Sequence, residues 1–88
     1  MKPSEAIHWA LEVLNLPMLI TKEELKIAYY VCAKQEHPDY GGSEAKMADI
    51  NQAYEILKTY MDNFKFTFSD EELAKQFPEE LHVNKFRF

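Results

Sequence analysis

Cysteine is almost absent from this 88-residue chain: Cys32 stands alone. One cysteine excludes both a disulfide framework and a cysteine-based zinc cluster. His8, His37 and His82 lie too far apart in the sequence to read as a metal-ligand set. No apolar run approaches the roughly 18 residues that a membrane span needs. The N-terminal stretch carries only Lys2 before a segment with Glu5 and Glu12, and it lacks the apolar core of a signal peptide. The expectation is a cytoplasmic protein with no membrane partner. Positive charge is also in short supply. A net charge of −5 and a pI near 5.1 argue against nucleic acid as a main partner. The two glycines, Gly41 and Gly42, are adjacent and follow no strand pattern, so there is no phosphate-cradling loop. No nucleophile–base arrangement can be read, no metal or cofactor is implied, and an enzyme is not expected.

What is present is apolar and aromatic content, 47% and 14%, which suffices for a folded core and argues against disorder. The length allows one domain, with a core that is marginal at this size. Helical periodicity dominates residues 3 to about 62. A first helix is predicted from about Pro3 to Asn15, with Pro3 in the first turn, where a missing N–H costs nothing. Ile7, Leu11 and Leu14 share one face, with Trp9 and Val13 off that stripe. Thr21 followed by Glu24 reads as a capping box that opens a second helix. Leu25, Ala28, Tyr29, Cys32 and Ala33 then form its inner stripe, and Pro38 ends it. Ser43 can cap a third helix, whose inner face is Met47, Ile50, Tyr54, Leu57 and Met61, with Ala53 beside it. The short Pro/Gly connection makes the second and third helices an antiparallel hairpin, with Tyr54 and Leu57 expected against Tyr29 and Cys32. His37-Pro38-Asp39 falls at the hairpin tip.

The last stretch reads differently. Phe64-Lys65-Phe66-Thr67-Phe68 and Lys85-Phe86-Arg87-Phe88 alternate with period two, which suggests short extended pieces. Between them, Ser69 and Glu72 form a further capping box for a short helix to about Phe77, stopped by Pro78. Two uses for these aromatics stay open: packing back along the helices to enlarge a small core, or a partner or client surface. The first is the expectation here. Residues 1–63 are taken as the helical domain and 64–88 as an extension packed on or beside it.

Taken alone, His-Pro-Asp is a weak signal, because turns favour proline and aspartate anyway. Its setting adds Glu12-Val13-Leu14, Ala28-Tyr29 and Ala33 before it, and Ile50-Asn51, Ala53-Tyr54-Glu55 and Leu57 after it. From about Leu11 to Tyr60 this pattern resembles the J-domain (DnaJ) family of helical co-chaperones. The resemblance implies an all-α fold in which a first helix crosses the hairpin of the second and third. It implies a J-domain co-chaperone whose partner is a DnaK-type chaperone of the seventy-kilodalton heat-shock class, with the tripeptide loop docking near the interdomain linker and stimulating ATP hydrolysis. In that reading Asp39 is the acidic anchor for a partner arginine, His37 adds polar contacts and holds the loop, and Pro38 stiffens it. The family's fuller members carry Gly/Phe-rich, zinc and β-rich client-binding parts that this sequence lacks, which leaves the C-terminal tail or another protein to choose the client.

The sequence also departs from the family. There the second helix is usually basic; here residues 21–36 balance three lysines against three glutamates. Tyr30 and Val31 occupy positions where arginine and lysine are common, Gln35 stands where a lysine often precedes the tripeptide, Tyr40 replaces the usual basic residue after it, and Glu36 replaces an aromatic. Lys22, Lys26 and Lys34 remain. Lys26, Lys34 and Tyr30 join the tripeptide as candidate partner-binding residues, although a solvated helix face explains the lysines equally and a covering tail would explain Tyr30 and Val31. The neutral helix and acidic total keep a second reading alongside the first: a J-like protein-interaction module with weak or no ATPase stimulation.

Overall fold

The computed structural model describes residues 2–81. Four α-helices occur among them: α1 (Pro3–Val13), α2 (Lys22–Glu36), α3 (Glu44–Asp62) and α4 (Asp70–Gln76), with short 3-10 turns at Pro38–Tyr40 and Pro78–Leu81. No strand occurs among the described residues. The sequence Lys85-Phe86-Arg87-Phe88, expected to be extended, lies outside them.

Local chemistry sets the helix starts. The Glu5 carboxylate accepts from the Lys2 N–H at 2.9 Å, and Pro3 opens α1. At α2 the capping box is complete: Thr21 Oγ1 accepts from the Glu24 N–H at 3.1 Å, and the Glu24 carboxylate accepts from the Thr21 N–H at 2.7 Å. Ser43 and Ser69 cap α3 and α4 by accepting from the Lys46 and Glu72 N–H groups, each at 3.3 Å. α1 ends two residues earlier than expected, because Leu14 leaves the helical region and Asn15 turns back with φ 56°, a left-handed conformation that asparagine tolerates.

Both α1 and α2 pack against α3. The buried core is Ala10 and Leu14 from the α1 side, Leu25 from α2, and Ile50, Ala53 and Leu57 from α3. Ile7, Leu11, Tyr29, Cys32, Met47, Tyr54 and Met61 pack around it half-buried. The expected stripe on α1 omitted Ala10, which is fully buried together with Ala53. Both are small, and helix separation at a crossing depends on the side chains that meet there.

The hairpin register is fixed by three contacts. At the open end Lys22 Nζ lies 3.1 Å from Asp62 Oδ1, which puts the start of α2 beside the end of α3. Midway, the Tyr29 hydroxyl donates to Asn51 Oδ1 at 2.8 Å, and the Tyr29 and Tyr54 rings lie 4.4 Å apart with a 33° tilt. The expected Tyr54–Tyr29 contact is therefore present, and Leu57 is buried. Leu57 and Cys32 are not opposite each other, however. An antiparallel register that pairs 29 with 54 sets Cys32 beside position 51, while its thiol reaches the Leu14 carbonyl at 3.8 Å. Burial raises the Cys32 pKa, with Glu36 adding to the effect, so the thiol stays protonated and behaves as a small hydrophobe.

The tail departs from expectation. Phe64 packs edge-on to Tyr60 at 5.8 Å and to Phe66 at 5.5 Å, but Phe66 and Phe68 expose 71% and 79% of their surface. Across the described part of the tail the phenylalanines thus do not enlarge the core. Phe77 is also exposed, and α4 packs mainly against the following 3-10 turn.

Leu57→Ala should cost about 2–5 kcal/mol, since it leaves a cavity on the α3 face that the other helices share. Denaturant titration checks this, and a loss below about 0.5 kcal/mol would place Leu57 outside the core. Asp62 gives a second test. The hydrogen bond from Lys22, then that from Lys58, holds its carboxyl below the ordinary value near 3.8. A depressed carboxylate pKa stabilises the fold above the ordinary value, and the benefit is lost as pH falls through the folded one. Asp62→Asn should therefore melt slightly below wild type at about pH 7 and converge with it at about pH 2. An equal gap at both would show that the ion pairs contribute nothing.

Candidate functional site

The connection between α2 and α3 is a built turn. His37 ends α2 in an extended conformation, as the residue before a proline must, and Pro38–Tyr40 forms one 3-10 turn. The His37 carbonyl accepts from both the Tyr40 N–H at 2.9 Å and the Gly42 N–H at 3.1 Å, and the Pro38 carbonyl accepts from the Gly41 N–H at 3.1 Å. The His37 ring turns back over the loop: Nδ1 accepts from the Asp39 N–H at 3.1 Å. This acceptor role assigns the ring proton to Nε2, which leaves that nitrogen as a donor. The Asp39 carboxylate lies 3.6 Å from Nδ1, beyond hydrogen-bond reach, and its side chain is 84% exposed. Tyr40 sets its ring edge-on to His37 at 6.1 Å and is itself exposed.

Two glycines make the reversal possible for different reasons. Gly41 has φ 84°, the left-handed region that side chains rarely adopt. Gly42 passes so close to the end of α2 that a β-carbon there would overlap the Glu36 carbonyl. The sequence marked both positions only as part of a short Pro/Gly connection. The close approach at Gly42 depends on how α2 and α3 meet, and periodicity carries no sign of it.

His37, Pro38 and Asp39 thus stand together at one end of the hairpin. Lys26, Tyr30 and Lys34 lie on the exposed side of α2. Tyr30 is 59% exposed, and Val31 is half-exposed beside it. Ile27, which the sequence reading did not single out, is 54% exposed on the same side and extends this apolar strip. Its spacing from Tyr30 and Val31, three and four residues, was the available signal.

Chemically, the loop offers a free carboxylate, an imidazole N–H and a restrained backbone on a convex surface. Among the described residues no group of three or more His, Cys, Asp or Glu is placed to hold a metal ion. No helix among them is long and apolar enough to cross a membrane.

The DnaJ domain model matches residues 10–62, more than half of the sequence, from the last turn of α1 through α3 and including the turn between α2 and α3. The chain belongs to the DnaJ domain family. This J-domain chain is similar to the chaperone protein dnaJ A6 of Oryza sativa subsp. japonica, 48% identical over 46 residues that cover 52% of this chain and 11% of the rice protein. It is similar to the chaperone protein DnaJ of Caldicellulosiruptor saccharolyticus, 50% identical over 50 residues, 52% of this chain and 13% of that protein. A tetratricopeptide repeat and J domain-containing co-chaperone of Cryptococcus neoformans matches at 48% over 46 residues, 52% of this chain and 9% of the fungal protein. The chain thus spans about a tenth of the length of these curated relatives. No solved structure matches.

Gly42→Ala should destabilise the J-domain by about 1–3 kcal/mol, because the added carbon forces the loop away from the Glu36 carbonyl. Denaturant titration measures it. A neutral result would mean that the loop closes by another path.

Proposed function

We propose that this chain is a J-domain co-chaperone that binds a DnaK-type chaperone through His37-Pro38-Asp39 and stimulates its ATP hydrolysis. The observation that carries the reading is the exposure of the Asp39 carboxylate at the tip of a loop whose backbone is already hydrogen-bonded. A carboxylate presented this way accepts a guanidinium bidentately, which fixes direction as well as charge. Because the turn is ordered before binding, little conformational entropy is lost on docking. The His37 imidazole is committed to the Asp39 N–H and so orients the residue that makes the charged contact. The J-domain performs no bond chemistry in this scheme. It shifts its partner toward the hydrolysing state by binding that state more tightly.

Lys26, Lys34 and Tyr30 extend the contact along α2. With equal numbers of lysines and glutamates over residues 21–36, long-range steering is weak and added salt should slow docking only modestly. Phe64, Phe66 and Phe68 give the C-terminal extension an exposed apolar surface suited to a client or targeting protein. The apolar strip on α2, in place of a basic one, is the specific feature that favours the second reading: a J-like binding module with little ATPase stimulation.

Single-turnover ATP hydrolysis by the cognate DnaK-type protein separates the two. The chain should accelerate it, and Asp39→Asn should remove most of the effect, with a loss on the order of 2–5 kcal/mol at a desolvated interface. The variant's own stability should stay within about 0.5 kcal/mol of wild type, because the side chain is exposed. Full stimulation by the asparagine variant would reject the Asp39 mechanism. No stimulation by wild type would favour the binding module.

A further inference from the structure

The outward side of α2 carries a pattern that the chaperone reading does not require. Taking 100° per residue, Glu23, Ile27, Tyr30 and Lys34 fall within about 60° of one another, opposite the buried Leu25. Ile27 and Tyr30 form the centre, 54% and 59% exposed, with Val31 at 51% beside them. Glu23 closes the strip at the N-terminal end and Lys34 at the C-terminal end. Both are exposed, and among the described residues neither has an ion-pair partner.

The strip is symmetric about its own middle. Successive gaps from 23 to 27, 30 and 34 are four, three and four residues. A second copy laid antiparallel about a two-fold axis therefore sets Ile27 against Tyr30 and Tyr30 against Ile27. The same operation sets Glu23 against Lys34 at both ends, and Lys26 against the flank of Val31. A two-fold interface needs a self-complementary patch, and this spacing provides one in both apolarity and charge. A parallel arrangement would instead oppose glutamate to glutamate and lysine to lysine.

We propose that this face of α2 is a homodimer interface, formed by antiparallel pairing of α2 with α2 of a second copy. The partly exposed Ile27, Tyr30 and Val31 present on the order of 300 Å² per copy, well below the roughly 800 Å² per partner of a stable complex. The dimer is accordingly weak and reversible. It covers Tyr30, Lys26 and Lys34, so self-association competes with any ligand that uses the same side of α2. The proposal does not depend on the co-chaperone reading.

Sedimentation velocity of the full chain over a wide concentration range tests it. Wild type should pass from monomer to dimer as concentration rises, and Tyr30→Glu should abolish the dimer. Glu23→Lys and Lys34→Glu should each weaken association by about tenfold, since each opposes like charges at both ends. An equimolar mixture of the two single variants should associate again, because every end then pairs lysine with glutamate. Circular dichroism confirms that these exposed substitutions leave the helices intact. Three results would overturn the proposal: a monomer at every concentration, a dimer indifferent to Tyr30→Glu, or a mixture that associates no better than its components. Indifference to Tyr30→Glu would point to the aromatic extension as the contact.

Discussion

The inner face of α3 carries two partners at once. Ile50, Ala53 and Leu57 are buried by α1 and by α2 together, and the other fully buried side chains, Ala10, Leu14 and Leu25, close onto that face. In so small a domain there is little apolar area to spare, and among the described residues the buried side chains form one cluster that holds both helices. The position of α2 against α3 is therefore the constraint on which everything else depends. It sets where Glu36 ends, how closely Gly42 must pass it, and hence the shape of the turn that presents Asp39. The contacts Lys22–Asp62 and Tyr29–Asn51 fix the same register from the open end and the middle.

As a proposed docking surface, the turn is convex and needs no pocket. Its three backbone hydrogen bonds and the His37 cap consume the local polar groups that would otherwise compete for a ligand. The Asp39 carboxylate is left outward, 3.6 Å from His37 Nδ1, which is already taken by the Asp39 N–H. Order is spent on the backbone and freedom is kept at the charge. Such an arrangement favours recognition by a directional cation on another protein over any chemistry that needs water excluded.

Much of this was legible in the sequence, and the failures share one cause. Helix starts at Thr21, Ser43 and Ser69 were readable because capping is local chemistry. The inner stripes of α2 and α3 were readable because helical periodicity is local too. Ala10 was missed because apolar stripes give most weight to large side chains, whereas a helix crossing favours a small one. Tyr54 and Leu57 were set together against Tyr29 and Cys32 without a residue-by-residue register, because stripes do not specify register, which the loop and the end contacts decide. The phenylalanines at 66 and 68 were assigned to the core because their number suggested it. Counting aromatics does not show where they pack, and Phe66 and Phe68 stay exposed although Ile27, Tyr30 and Val31 leave an apolar strip open on α2. Likewise the motif identified the tripeptide, but the close approach at Gly42 and the apolar strip through Ile27 emerge only when the helices are placed.

The proposed co-chaperone role requires the α2–α3 turn to be the surface that meets a DnaK-type chaperone. Its most direct test is a nuclear magnetic resonance titration of the isotope-labelled chain with the ATP-bound chaperone. Amide shifts and broadening should concentrate at residues 37–42 and continue along the outward side of α2 through Tyr30 and Lys34. Perturbation confined to residues 64–81, or none at all with an active chaperone, would contradict it.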